Sequence, residues 1–374
     1  ALGLMSGMSA DGLDLALVRI EGRGERPGVT LLAHATRPYE PALSRRTHAA
    51  VTGPTREVSR LDFLLARWWA DAVAAFLAAH DVAAADVGVV GSHGQTLDHV
   101  PRRAGQGATT LQVGDGCVLA ERTGIPTVSD FRPRDVAAGG EGAPLVPYAD
   151  WVLHAQPGAV VLTLNLGSIA NVTVVTERLQ DVVAFDCGPA NALIDGFVRR
   201  ASGEERGIDR DGGISARGRL VEAVLADLDA ASRAFLDRPP PRSAGYDEFG
   251  PALAARLGRQ HASVAREDLV RTAVEFTART VAGALERFVL PAHPRARTVL
   301  LTGGGAKNPT LVGALRAHLG ARGLEVAVAP GPWIDAKEAV AFALLADATL
   351  RGVPAGVPGA TGAARAVLLG KISP

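Results

Sequence analysis

Apolar and polar positions set the reading from the first residues. Residues 2–7 and 13–21 are two apolar runs around a tight polar turn, Ser6-Gly7-Met8-Ser9-Ala10-Asp11-Gly12, and predict a β-hairpin. A plain hairpin needs only Asn-Gly or Asp-Gly at its turn. This turn carries more hydroxyl and carboxylate than turning requires. Residues 61–80, LDFLLARWWADAVAAFLAAH, repeat apolar positions three and four apart and predict a helix. Residues 86–96 predict a buried strand that ends in a polar loop, 117–124 a helix and 125–131 a strand. Such alternation predicts an α/β protein.

A second unit of the same grammar follows. Residues 159–176, AVVLTLNLGSIANVTVVT, again run strand, Gly-Ser turn, strand. Two strand–polar turn–strand units about half a chain apart predict two similar domains. Residues 182–203 predict a strand into Asp186 and then a helix, with Pro189 suited to its first turn. Residues 238–250 are a Pro-rich loop and 269–290 an amphipathic helix. Residues 298–319 read strand, three glycines, helix; 335–352 read as a helix opened by Asp335, with Glu338 in its first turn.

Composition narrows the class. The chain has 374 residues, which is about two domains at roughly 150 residues each, with 47% hydrophobic and 21% charged residues. Net charge is zero and no basic stripe stands out, so a nucleic-acid partner is not expected. Only Lys307, Lys337 and Lys371 are lysines, an arginine bias that fits a GC-rich genome. Cys117 and Cys187 form neither a CxxC nor a Cys/His metal pattern. The opening reads as a strand, so no signal peptide is expected. No apolar run reaches the ~18 residues of a membrane span. The expected compartment is the cytoplasm.

Several loops have the residue types for chemistry. There is no GxxxxGK[ST] phosphate loop. The GGGAKN turn, Gly303 to Asn308, follows a strand and opens a helix, where amides can face an anion. The two hairpin turns add amides and Ser or Asn side chains, and Asp11 offers a hard oxygen for a hydrated Mg²⁺. Asp186 is either a helix N-cap or a general base at a strand tip. Cys187 is either a small buried residue or a thiolate helped by a helix dipole. His93, in GSHGQT, is either structural or part of a site at a strand end. Arg134 and Asp135 precede a glycine run that either orders over a substrate or is a surface loop held by that pair. A carboxylate at Glu338 is favourable electrostatically near a helix start in any case.

Taken together, these motifs resemble the anhydro-N-acetylmuramic acid kinase family nearly end to end. The resemblance rests on GLMSGMSADGLD, GSHGQT, LQVGD, DFRPRDVAAGGEGAPLVP, LNLGSIANVT, FDCGPANALID, LTGGGAKNPTL and DAKEAVAFALLA. It implies a two-lobed actin/hexokinase/Hsp70-like (ribonuclease H-like) α/β fold with the active site in an interlobe cleft. The implied lobes are residues 1–155 and 156–374, the segment from about residue 340 returning to the first. It implies ATP and Mg²⁺ acting on 1,6-anhydro-N-acetylmuramic acid, with hydrolysis of the anhydro bridge and phosphorylation of O6, in cell-wall recycling. It implies a homodimer, with neither nucleic acid nor membrane as partner.

Residue by residue, Asp186 matches the family's catalytic base. Gly7, Met8, Ser9, Ala10, Asp11 and Gly12 match a first phosphate-binding turn, with Asp11 reaching Mg²⁺ through water. Asn165, Gly167, Ser168 and Asn171 match a second. Gly303, Gly304, Gly305 and Asn308 match the adenosine side. His93, Gln95, Arg134, Asp135, Gly188, Asn191 and Glu338 are the expected sugar contacts. Departures fall inside the motifs. Met8 replaces a Thr, Ser168 and Ala190 replace glycines, Glu141 replaces a Gln, and PPPRSAGYDE stands for PPKSTGRE. Two other readings use the same residues: a kinase of another 1,6-anhydrosugar such as levoglucosan, or a catalytically silent sugar or nucleotide sensor.

Overall fold

A computed structural model describes residues 1–22, 24–100, 102, 107–202 and 207–374. The chain divides into two compact units. One comprises Ala1–His154, Leu179–Val182 and Ala336–Pro374; the other comprises Ala155–Arg178 and Val183–Asp335. The strands, in chain order, are β1 (Leu2–Ser6), β2 (Gly12–Glu21), β3 (Gly28–Pro38), β4 (Val90–Val100), β5 (Thr109–Val113) and β6 (Thr127–Ser129). They continue as β7 (Val161–Leu166), β8 (Ile169–Val175), β9 (Val183–Pro189), β10 (Thr298–Thr302), β11 (Glu325–Val328) and β12 (Lys371–Ser373).

Both sheets follow one plan. In the first unit β1, β2 and β3 are antiparallel neighbours, and β4 then β6 continue beside β1 in parallel. In the second, β7, β8 and β9 are antiparallel neighbours, and β10 then β11 continue beside β7 in parallel. The repeated hairpin seen in the sequence is therefore the start of a repeated sheet. This is the duplicated ribonuclease H-like α/β plan. In the first unit β12 is added at the β6 edge and β5 pairs with β4.

Each unit has its own core. Leu2, Leu4, Leu13 and Leu15 of the first hairpin pack with Leu61, Leu65 and Trp69 of the helix Thr55–Ala79. Leu162, Leu164, Val172 and Val174 of the second hairpin pack with Val270, Phe276 and Val281 of the helix Arg266–Phe288. The helix Trp333–Leu350 is buried on nearly every side from Ala336 to Ala346, as its continuous apolar run from Ala339 to Ala346 requires. It lies directly on a cross-strand glycine pair: a Cβ on Gly3 would stand 1.7 Å from the Ala339 carbonyl oxygen, and one on Gly91 2.0 Å from that of Phe342. Among the described residues no helix is long and apolar enough to cross a membrane.

Four local expectations change. The GSHGQT segment is not a loop after a strand; it lies inside β4, where Gly94 takes a φ of +83° and the next residue, Gln95, pairs with both Ser6 of β1 and Val113 of β5. Pro189 is not in a first helical turn but pairs with Ile169 in the sheet. Asp186 is no N-cap, because β9 continues past it and the helix begins at Asn191. Glu338 lies in the second helical turn, since the helix starts at Trp333, two residues before Asp335.

Candidate active site

The expected site residues form two groups, one in each unit. In the first unit, the Gly7–Ala10 stretch is a β-turn closed by Ala10 N–H to the Gly7 carbonyl (3.0 Å), with Met8 and Ser9 at its corners. Ala10 takes a left-handed φ of 46°, and Gly12 lies so close to the neighbouring strand that a Cβ would be 2.8 Å from the Arg37 carbonyl oxygen. Ser9 Oγ donates to Asp11 Oδ1 (2.9 Å). Ser6 and Gln95 support the turn from beneath. Ser6 Oγ lies 2.7 Å from Gln95 Oε1 and 2.9 Å from the Tyr39 hydroxyl, which accepts from Trp69 Nε1 (2.8 Å). Gln95 Nε2 donates to the Gly7 carbonyl (3.0 Å). Burial pushes the Tyr39 hydroxyl up to about 12, so it stays a neutral donor. Gln95 thus reaches the turn itself.

His93 is buried on the same strand. Arg132 Nη2 (2.8 Å) and Nε (3.2 Å) meet its Nε2. A guanidinium only donates, so Nε2 accepts and Nδ1–H donates to the Gly94 carbonyl (2.8 Å). Burial, reinforced by Arg132, lowers the imidazole to about 3, which fixes it neutral. Arg132 Nη1 also donates to the Gly142 carbonyl (3.0 Å). Burial lowers the guanidinium to about 10 against the pull of Glu338 and Asp135. Glu338 is raised by burial and by Asp14, with Lys337 and Arg132 opposing. Asp135 is turned inward rather than paired with the exposed Arg134: its Oδ1 accepts from Thr361 Oγ1 and its Oδ2 from Gly142 N, both at 2.8 Å. Its carboxylate therefore organises the Gly139–Gly142 turn.

In the second unit, strand register assembles a row from distant sequence. Thr302 lies opposite Asn165, Asn165 opposite Asn171, and Asn171 opposite Asp186. A bulge in the β8–β9 pairing leaves Cys187 buried, with its thiol pushed up to about 12 by that burial; it is the small buried residue, not a thiolate. The Gly167-Ser168 turn caps the helix Asn191–Ser202: the Gly167 carbonyl accepts from Asn191 N, and the Ser168 carbonyl from Ala190 N and Ala192 N, all at 3.0 Å. Asn191 Nδ2 donates back to the Leu166 carbonyl (3.0 Å). Gly303, at φ +79°, brings the third turn against the second, since a Cβ there would be 2.5 Å from Asn165 Oδ1. Gly188 is a close approach to Thr280, whose Oγ1 would be 2.5 Å from an added Cβ. Asn308 N-caps the helix Pro309–Gly320 and gives its Nδ2 to Asp209 Oδ2 (3.1 Å).

Asp186 is half-buried. Its Oδ2 accepts from Ala244 N (2.7 Å). Burial lifts its carboxyl to about 7, with Glu248 adding to the rise and Ala244 N–H, Arg242 and Arg238 opposing it. A carboxyl poised near neutrality can take a proton from water.

A family model described as anhydro-N-acetylmuramic acid kinase matches residues 1–374, the whole chain. The chain belongs to the anhydro-N-acetylmuramic acid kinases. A relative of that name from Gloeobacter violaceus is 42% identical over 100% of this chain and 98% of its own length. Another, from Caldanaerobacter subterraneus subsp. tengcongensis, is 39% identical over 100% and 96%. A ROK family glucokinase from Streptomyces griseus, solved with glucose and AMPPNP, is similar at a TM-score of 0.41 and 13% identity over 93% of this chain and 99% of that one. So distant a likeness carries no argument, and the topology stands on strand pairing.

Within this kinase, sequence reasoning overlooked Arg132 and Arg242. Arg132 stands two residues from Arg134 in the same motif, and one-dimensional spacing does not tell which guanidinium turns inward. Arg242 was visible only as a departure within the Pro-rich loop.

Proposed function

We propose that this enzyme uses ATP to convert 1,6-anhydro-N-acetylmuramic acid into N-acetylmuramic acid 6-phosphate. Asp186 carries the reading: a carboxyl with one oxygen held by a backbone amide, lifted to about 7, in a row with Asn171. Asp186 takes a proton from water as the water oxygen bonds to C1. The C1–O6 bond breaks, O6 attacks the γ-phosphorus, and ADP leaves. The proton on Asp186 passes to solvent. The turns at Gly7–Gly12, Asn165–Asn171 and Gly303–Gly305 supply amides for the phosphates and adenosine. His93, Glu338 and Asn191 are assigned to the sugar, with Arg132 holding His93 in one tautomer.

Mg²⁺ fits Asp11, an exposed carboxylate steadied by Ser9. Among the described residues no cluster of three or more His, Cys, Asp or Glu could hold a metal; Mg²⁺ in phosphoryl-transfer sites is commonly held by one or two carboxylates together with phosphate and water. When bound, the ion neutralises charge on the phosphoryl oxygens. Reaction in ¹⁸O-water tests the central step. One solvent oxygen is expected at C1 of the phosphosugar by mass spectrometry; a phosphorylated product that keeps the anhydro ring rejects the mechanism.

Met8 has a separate consequence. It is 58% exposed, so it does not pack against the strands of its own hairpin. It cannot donate the hydrogen bond that the family-like Thr would. Ser6 is committed to the buried Gln95–Tyr39 network and Ser9 to Asp11, so neither replaces that donor freely. Met8→Thr is expected to raise kcat/KM by about tenfold, the scale of one hydrogen bond to a charged group. Steady-state kinetics at varied ATP and sugar check this; a fall would make Met8 a contact surface for the bound sugar.

A further inference from the structure

The Pro-rich loop 238–250 has no part in the reaction as written, yet it grips the proposed base at three points. Arg242 Nε donates to the Asp186 carbonyl (2.8 Å), Asp186 N donates to the Arg242 carbonyl (3.2 Å), and Ala244 N donates to Asp186 Oδ2 (2.7 Å). Arg242 is itself fixed. Its Nη1 donates to the carbonyls of Phe235 (3.3 Å), Leu236 (3.0 Å) and Arg238 (2.9 Å), at and just beyond the end of the helix Glu222–Leu236. A helix end leaves such carbonyls without intrahelical partners and favours a cation. The guanidinium also lies over three aromatic rings, 5.6 Å from Phe185, 4.8 Å from Phe235 and 4.9 Å from Phe288. Only 6% of Arg242 is exposed, so it is built in rather than resting on the surface.

We propose that Arg242 is the positioning residue for Asp186: it locks residues 242–244 so that the Ala244 amide holds Oδ2 and leaves Oδ1 to receive the proton. The proposal rests on the reading of Asp186 as the base. In this chain the planar fork reaches the Asp186 carbonyl and three carbonyls beyond it at fixed angles, more partners than the single ammonium of the family-like PPKSTGRE motif can reach at once. The charged groups acting on Asp186 are Arg242, Arg238 and Glu248, and the buried Cys187 thiol beside it is neutral; β8 contributes only Asn171 opposite. Glu248 sits on the same loop, its Oε2 accepting from Gly245 N (2.9 Å). Cation and anion on one loop thus pull the carboxyl in opposite directions.

The test is the pH dependence of kcat/KM for the wild type, Arg242→Met, Arg242→Lys and Glu248→Gln, with folding checked by thermal melts. The wild type is expected to lose activity below about pH 7. Arg242→Met should move that limb up by about one pH unit and lower the plateau roughly 100-fold, the scale of a small misplacement of a reacting group. Arg242→Lys restores the charge and the residue of the family-like motif, so the limb should return towards the wild-type position while the plateau recovers only in part, because one ammonium replaces several of the fork's hydrogen bonds. Glu248→Gln, on an exposed side chain, should move the limb down with the plateau kept, and if Arg242→Met does not fold, Arg242→Lys carries the test, its plateau falling below that of the wild type while Glu248→Gln keeps its own. If the wild-type limb exists and vanishes in Asp186→Asn, but Arg242→Met and Glu248→Gln leave it unmoved, the positioning role is overturned and the base stands. If the wild type has no such limb, the base reading fails and takes this proposal with it.

Discussion

Asp186→Asn is expected to lower turnover by at least about 100-fold, the low end for loss of a general base, while ATP still binds. Asn keeps the size of the side chain and can still accept from Ala244 N–H, so geometry is preserved and only proton uptake is lost. Single-turnover kinetics together with nucleotide titration check the pair of outcomes; near-normal turnover would remove Asp186 from the chemistry. Stability should move the other way. The carboxyl rises from an ordinary value of 3.8 to about 7 in the fold, through burial. The native state therefore binds the proton more tightly than the unfolded chain between those values. Wild-type stability falls as pH rises through that window and reaches its low level above it. Asp186→Asn carries no charge to bury, so its melting temperature should exceed that of the wild type at pH 8 and approach it near pH 4. A functional carboxyl held at a cost in stability is the trade expected of an active site.

Asp135→Ala is expected to cost stability rather than chemistry. Asp135 is fully buried, and its two oxygens accept from Thr361 Oγ1 and Gly142 N. Gly140 packs against it so closely that a Cβ would lie 2.1 Å from Oδ2. Removing the carboxylate strands two buried donors, each costing about 1–3 kcal/mol, and loosens the turn whose Gly142 carbonyl accepts from Arg132. The expected loss is roughly 2–6 kcal/mol, read as a lower denaturant midpoint. Asp135→Asn should lose less, because it keeps one acceptor and the shape. If Asp135→Ala instead melts like the wild type and raises only the KM for sugar, Asp135 is a substrate contact and its internal hydrogen bonds are incidental.

Much of the fold was legible because hydrophobic period and turn chemistry are local. The hairpins 2–21 and 159–176 announce themselves by apolar runs around Gly-rich turns, and the helix at 61–80 by its spacing. What misled was also local. GSHGQT looks like a loop because it is polar, but those polar groups are buried by partners from elsewhere, Ser6 and Gly7 for Gln95 and Arg132 for His93. Pro189 looks like a helix start, yet it fits the sheet because Pro189 lies on β9, which pairs with β8 alone and forms the edge of its sheet.

Sequence alone determined the α/β class, the doubled hairpin and the glycine-rich turns, since these depend on residue type and spacing within a few positions, whereas Asp186 stayed open between helix cap and base until the family resemblance marked it as the carboxyl to watch. Tertiary structure alone decided that Asn165, Asn171 and Asp186 share one row, that Arg132 rather than Arg134 turns inward, and that Asp135 and Asn308 spend their polar groups on the protein. It also decided that Arg242 clamps the proposed base across 56 positions of chain. Burial, register and long-range hydrogen bonds set these outcomes, and each is a property of which segments meet, which no window of neighbouring residues contains.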